Sequence, residues 1–449
     1  MSAPGRLHFS RIALFGGLAC AATVVFFRGV MQAPFNLDEI YYLNGSRAFD
    51  LWQSWDVRTL SESEALRLYG APLAPLLAGL SRYLADMPLG GPYSYPLGNP
   101  DPLGSAFMPV PSLLYAARLP MVMMGVSSTL LLTALVWRSR GAAAGVAVSL
   151  LLLSDAGHVT IYRELMTEPP MLFFTLLALV LSLVTSRKPT AWAVALTGIC
   201  AGLAMVSKHT AVLAVIASAA TVGVSGFLAR AGLWTAVARS AAIVALAALT
   251  VIALNPFSWG NPLAAAQDII VTRQLDFEDA KRNHPTQALP TLADRIPFFV
   301  WRVFTGRAAI GCAREFARQI AVDPTNRQWL YGAFEPAKPL AYTPLCQPGL
   351  GTAPVLRPLT WVNVGLFVAG IALVIMSAVR RRALTIDLTL MAWMLLYFAV
   401  TGLTVQLTWG QYYVLPTTFA TVLQAVAIGA GAQWLIDLTR RRWGRVGHP

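Results

Sequence analysis

The sequence contains few charged residues and few cysteines. Only 12% of its 449 residues are Asp, Glu, Lys or Arg, whereas about a quarter are charged in soluble domains. Apolar residues make up 56%, and the mean hydropathy is +0.58. This balance excludes an ordinary soluble protein and predicts a polytopic membrane protein. The four cysteines have no Cys/His spacing typical of a zinc site, and no internal repeat or low-complexity tract is present.

Apolar runs long enough to form spanning helices recur along the chain. A spanning helix needs about 20 mostly apolar residues. Ala19-Cys20-Ala21 in the first run is an acceptable signal-peptidase site, but the run continues through Phe27, which favours an uncleaved anchor. The predicted fold is all-α, with about ten transmembrane helices. The predicted spans are residues 12–30, 110–136, 142–158, 167–185, 190–207, 210–228, 236–254, 359–379, 386–405 and 412–436.

Basic residues in the short loops predict the orientation, because Lys and Arg are retained on the cytoplasmic side. With the N-terminus inside, all the short basic clusters fall on one side. They are Arg138 and Arg140, Arg187 and Lys188, Arg230 and Arg239, Arg380 to Arg382, and Arg440 to Arg442. We therefore expect both termini in the cytoplasm, in the plasma (inner) membrane. The net charge of +13 does not indicate nucleic-acid binding, because these residues flank membrane helices and form no continuous basic groove.

Two long segments, 32–109 and 255–357, fall on the outer side of this topology. Each contains a candidate interfacial helix, one at Leu73–Leu84 and one that includes Trp301, Arg302 and Phe304. The predicted domains are a seven-helix transmembrane module at 1–254, an outer region at 255–357 and C-terminal membrane helices at 358–449.

The cysteines divide between these regions. Cys20 and Cys200 lie in apolar spans, where a free thiol packs as a small apolar group. Cys312 and Cys346 lie in the second outer segment. They form a disulfide if that side is oxidising, and two free thiols are the alternative.

An adjacent acidic pair, Asp38 and Glu39, follows the first span. Carboxylates are costly to desolvate, so a pair so close to a bilayer surface needs a reason. One interpretation is a solvated loop. The other is a membrane-embedded transferase whose general base lies at the outer face.

Three further polar stretches, 155–170, 207–210 and 408–413, lie on the same predicted side. Lys208 occupies a hairpin of only a few residues, where it either meets lipid headgroups or binds an anion. Glu168 precedes Pro169, so it can cap the N-terminus of a helix, a role compatible with catalysis.

Together these stretches resemble motifs of glycosyltransferase family 39 of the GT-C superfamily, which includes the protein O-mannosyltransferases and the lipid A aminoarabinose transferases. The resemblance covers about 30–230, and none is found across 255–357. Two positions depart from the family pattern, because Glu168 stands where Asp is common and His209 where Gly is common. The matching stretches are Asp38-Glu39, Gly70 to Leu73, Ala117 to Pro120, Arg163 to Pro170, Gly202 to Lys208, and Gln411 to Pro416.

The resemblance implies a sugar donor linked to a polyprenyl phosphate. The predicted orientation agrees, because nucleotide sugars are cytoplasmic and a site on the outer face needs a lipid-linked donor. The acceptor is a lipid, a glycan or a protein. By position and by resemblance, Asp38 is the expected general base, with Glu39 orienting Asp38 or the acceptor and Glu168 as a further acidic residue. Direct attack without a covalent sugar–enzyme intermediate implies inversion at the anomeric carbon.

The departing lipid phosphate needs cations. Arg163 and Lys208, with Arg118 or His209, are expected to bind it, and Tyr413 to donate a hydrogen bond. We expect no required cofactor or metal, although three carboxylates, Asp38, Glu39 and Glu168, would suit a divalent ion.

Two other functions remain open in the sequence. A transporter or flippase would place ionisable residues near the bilayer midplane, whereas here they gather at one face, which favours an interfacial enzyme. A glycan ligase or polymerase would also use a lipid-linked sugar.

Overall fold

The computed structural model describes residues 3–28, 30, 38–61, 71–89, 111–283, 288–304, 357–381, 386–407 and 410–446. Within these ranges the chain is helical, and one isolated bridge between Ala288 and Leu407 is the only β-type pairing. Short 3₁₀ turns lie at His209–Ala211, Pro256–Ser258 and Gly410–Tyr413. The α-helices in chain order are α1 (Ala3–Arg28), α2 (Asp38–Gly45), α3 (Arg47–Gln53), α4 (Val57–Ser61), α5 (Leu73–Leu84), α6 (Pro111–Arg140), α7 (Ala142–Ser154), α8 (Ala156–Ile161), α9 (Glu168–Arg187), α10 (Ala191–Ser207), α11 (Val212–Leu228), α12 (Leu233–Leu254), α13 (Pro262–Asn283), α14 (Leu292–Phe304), α15 (Arg357–Arg381), α16 (Ile386–Thr404) and α17 (Val414–Val446).

Seven helices of the described chain are long and apolar enough to cross a membrane, namely α1, α6, α9, α11 with the turn before it, α12, α15 and α17. Three shorter apolar helices, α7, α10 and α16, coincide with the remaining predicted spans. With 13 residues, α7 is about 20 Å long, less than a hydrocarbon core of about 30 Å. The prediction of an all-α polytopic membrane protein is confirmed, and ten crossings remain a prediction.

Small residues allow the membrane helices to approach closely. Gly198 and Gly202 on α10 face α12, and a Cβ atom at Gly202 would lie 2.8 Å from the carbonyl oxygen of Ala247. Polar side chains inside the bundle bond to one another, as Thr133 of α6 and Ser149 of α7 do with hydroxyl oxygens 2.5 Å apart. The bundle therefore combines close backbone packing with paired hydroxyls.

The helix α5 covers the predicted residues of the first interfacial helix. Its Arg82 is 2% exposed, pairs with Asp50 of α3, and donates to Ser46 Oγ at 3.3 Å and to the Met87 carbonyl at 2.9 Å. These bonds attach α5 to the short helices that follow the acidic pair.

The second predicted interfacial helix corresponds to α14, which includes Trp301 and Arg302 and buries Phe299, Val303 and Phe304. The helices α2, α3, α4 and α13 were not predicted. Cys312 and Cys346 lie outside the described residues, so their pairing stays a prediction, as do the domain boundaries.

Candidate active site

Glu39 and Arg118 form an ion pair inside the protein, and neither side chain is exposed. Arg118 Nε donates to Glu39 Oε1 at 2.8 Å, and Nη2 donates to Oε2 at 2.6 Å. Arg118 Nη1 also donates to the Val30 carbonyl at 2.7 Å, and the backbone N–H of Leu165 donates to Glu39 Oε1 at 2.6 Å. Glu39 is thus fixed to α6 and to the segment before α9.

Asp38, the predicted base, is the first residue of α2. Its side chain lies outside the described part of the structure. Because Glu39 follows it directly on the same helix, the bonds of Glu39 fix the backbone position from which the Asp38 side chain extends. The assignment of the base stays a prediction.

Arg163 binds the C-terminal end of α1. Its Nε donates to the Phe26 carbonyl at 3.3 Å, its Nη2 donates to the Val25 carbonyl, and the residue is 8% exposed. A cation is favourable at the C-terminus of a helix, where carbonyl oxygens lack partners. This predicted phosphate ligand therefore has protein partners in the structure.

Glu168 and Lys208 form a second, partly buried ion pair. Glu168 begins α9 and its side chain is 1% exposed, while Lys208 follows α10 and its side chain is 18% exposed. Thr167 Oγ1 donates to Glu168 Oε2 at 3.3 Å. The Lys208 Nζ also lies 4.7 Å from the centroid of the Tyr412 ring, within the range of a cation–π contact. The Lys208 side chain is thus partly accessible beside a buried carboxylate.

Two further predicted residues are sequence neighbours of these groups. His209 follows Lys208, and Tyr413 follows Tyr412. Tyr413 is 2% exposed, and its hydroxyl donates to the Leu407 carbonyl at 3.0 Å. Burial raises the pKa of Tyr413 to about 12, so the hydroxyl stays protonated at neutral pH. The His209 Nε2 is buried without a hydrogen-bond partner in the described chain.

Two aspects of this site were not predicted from the sequence. The aromatic contact to Lys208 comes from Tyr412, the neighbour of the residue selected from the same motif. The helix α13 lies against the site, because the centroid of the Phe277 ring is 6.0 Å from that of the Tyr412 ring. Tyr412 could have been found from the motif, but no motif in the second outer segment indicated α13.

The predicted residues thus form two clusters linked by the segment 162–168. Glu39 and Arg118 meet in the first, and Glu168 and Lys208 meet in the second. No group of three His, Cys, Asp or Glu side chains in the described chain is arranged to hold a metal. The Asp38 side chain lies outside the described part of the structure, so the expectation that no metal is required stays a prediction.

The chain is similar to known proteins over part of its length. Residues 39–259 match the family model of the dolichyl-phosphate-mannose-protein mannosyltransferases, a region that includes both ion pairs. No curated protein matches the sequence. The chain is similar to ArnT from Cupriavidus metallidurans bound to undecaprenyl phosphate, at 14% identity and a TM-score of 0.37, over 95% of this chain and 77% of that one. The apo form of ArnT gives 15% identity and a TM-score of 0.38, over 94% and 77%.

The family match over residues 39–259 indicates a membrane glycosyltransferase of the GT-C type. These residues match the dolichyl-phosphate-mannose-protein mannosyltransferase family, and the resemblance noted in the sequence is confirmed. This match favours an enzyme over a transporter or flippase.

Proposed function

We propose that the protein moves a sugar from a polyprenyl-phosphate donor to an acceptor on the outer, periplasmic face of the inner membrane. The observation that carries this proposal is the Glu168–Lys208 pair, in which a partly accessible cation lies beside a buried carboxylate. A phosphate group at the membrane surface requires such a cation. The matching family is named for a lipid-linked sugar of this chemistry, dolichyl-phosphate mannose.

Asp38 acts as the general base in this proposal. Glu39 already accepts two hydrogen bonds from Arg118 and one from the Leu165 N–H, which gives it an anchoring role. The carboxylate of the preceding residue takes the proton from the acceptor hydroxyl or amine as that atom attacks the anomeric carbon. The bond between the anomeric carbon and the phosphate oxygen breaks in the same step. The lipid phosphate departs, and the sugar is bonded to the acceptor with inverted configuration.

Lys208 binds the departing phosphate, and His209 follows it directly in the chain. Arg118 and Arg163 have an anchoring role in place of the phosphate contacts predicted from the sequence. This follows from their bonds to Glu39 and to the carbonyls at the end of α1. Glu168 holds Lys208 at the start of α9.

The test is transfer by purified protein in proteoliposomes supplied with a panel of radiolabelled polyprenyl-phosphate sugars. One donor should be consumed, Asp38→Asn should abolish its consumption, and the product sugar should have the opposite anomeric configuration by NMR. Asp56→Asn is the matched control, because this exposed carboxylate lies in the same outer segment and an Asn keeps its cap on Thr59 N–H. Normal turnover by Asp38→Asn would contradict the base, and labelled lipid crossing the membrane without transfer would contradict the reaction.

A further inference from the structure

The Lys208 ammonium contacts both a carboxylate and an aromatic ring. Glu168 forms the ion pair, and the Tyr412 ring centroid is 4.7 Å from the same Nζ. The Lys208 side chain is 18% exposed, whereas that of Glu168 is 1% exposed.

These two contacts act differently on anion binding. Glu168 neutralises the ammonium and competes with a phosphate for its N–H donors. An aromatic face attracts a cation through its quadrupole and carries no net charge. Tyr412 therefore restrains Lys208 without cancelling the charge that a phosphate needs.

The Tyr412 ring is supported by the second outer segment. Phe277 of α13 lies 6.0 Å from it, with the ring planes tilted by 32°. Lys281 Nζ donates to Gln406 Oε1 at 3.1 Å, and the Leu289 N–H donates to the Gln406 carbonyl at 2.7 Å. These bonds attach α13 and the residues after it to the stretch that precedes Tyr412.

We propose that Tyr412 is a positioning residue that holds Lys208 for the donor phosphate through its ring face, and that Phe277 keeps this ring in place. The inference rests on the proposed function, since it assumes that Lys208 binds a lipid-linked phosphate. It gives the second outer segment, which contains no motif of the family, a part in donor binding.

The experiment measures the dissociation constant of a polyprenyl phosphate without sugar for the purified protein in detergent. The residue at position 412 is varied from Tyr to Phe and then to phenylalanines with an increasing number of fluorine atoms. Fluorination weakens the ring quadrupole and nearly preserves the shape of the ring. Tyr412→Phe should stay within about twofold of wild type, and the most fluorinated ring and Tyr412→Leu should bind roughly threefold to tenfold more weakly. Phe277→Leu should weaken binding in the same direction. Leu275→Ala, an exposed residue of the same helix, should not.

Two controls separate positioning from a structural role. In the Lys208→Met background the fluorination series should be flat, because the effect passes through the ammonium. Size-exclusion profiles should be unchanged across the series, since the fluorinated rings keep the packing.

A flat series in the wild-type background, with polyprenyl phosphate still bound, would overturn the inference and leave the proposed function standing. Failure of the wild type to bind polyprenyl phosphate would overturn both.

Discussion

Arg118 and Glu39 are 79 positions apart in the chain, and their side chains form a bidentate ion pair with no exposed surface. The pair joins the helix after the first outer segment to the residue that follows the proposed base. Charged groups this deeply buried are stable only with their partners, because desolvation costs several kcal/mol for each ion.

We therefore expect Glu39→Gln and Arg118→Met each to lower the free energy of unfolding by about 3–5 kcal/mol, since each leaves the partner charge buried and unpaired. The free energy of unfolding of the double variant Glu39→Gln/Arg118→Met should fall by much less than the sum of the two single losses. Thermal unfolding in detergent measures all three. Arg187→Met, an exposed arginine at the end of α9, is the control and should change stability by less than about 0.5 kcal/mol. Additive losses in the double variant would contradict a direct pair.

Lys208 and Glu168 should have separable effects on kinetics. Lys208→Ala removes a charge-assisted contact to the donor, so KM for the donor should rise by about tenfold to 100-fold. Glu168→Gln leaves the ammonium without its ion-pair partner and should mainly lower kcat. Steady-state transfer assays with the donor identified by the panel measure both constants. Lys188→Ala, an exposed lysine after α9, should match wild type. A Lys208→Ala enzyme with unchanged KM would exclude the phosphate role.

Arg163 should matter more for stability than for donor affinity. Its guanidinium donates to the carbonyls of Val25 and Phe26 at the end of α1, and a hydrogen bond from a charged donor contributes about 1.5–3 kcal/mol. Arg163→Gln should therefore lower the melting temperature and change KM for the donor by less than about threefold. An unchanged melting temperature together with a large rise in KM would restore the phosphate role predicted from the sequence.

The membrane helices could be predicted because their signal is local. A run of apolar residues is sufficient to indicate a helix such as α6 or α12, and the basic clusters add the orientation. The helix α13 could not be found in this way. It carries many polar and charged residues, and its place beside Tyr412 depends on contacts with a stretch more than a hundred positions away.

The site residues show the same division between local and long-range information. The sequence indicated that Glu39, Arg118, Glu168 and Lys208 belong to one side of the membrane, and the structure pairs them. It could not indicate that Arg118 binds Glu39 and not a phosphate, because an arginine suits either partner equally well. Partner choice depends on the separation of side chains in the fold, which no spacing in the chain specifies.

The close packing of α10 on α12 gives a prediction away from the site. A Cβ atom at Gly202 would lie 2.8 Å from the Ala247 carbonyl oxygen and 2.7 Å from Thr250 Cβ, both inside van der Waals contact. The backbone of α12 cannot move away without losing other contacts, so Gly202→Ala should destabilise the protein by about 1–3 kcal/mol, as overpacking does. Thermal unfolding in detergent checks the change. Gly16→Ala on α1 is the matched control, because no atom lies within 4 Å of its Cβ position, and its melting temperature should equal or exceed that of wild type. Equal effects of the two substitutions would show that helix propensity, and not the contact with α12, determines the cost at Gly202.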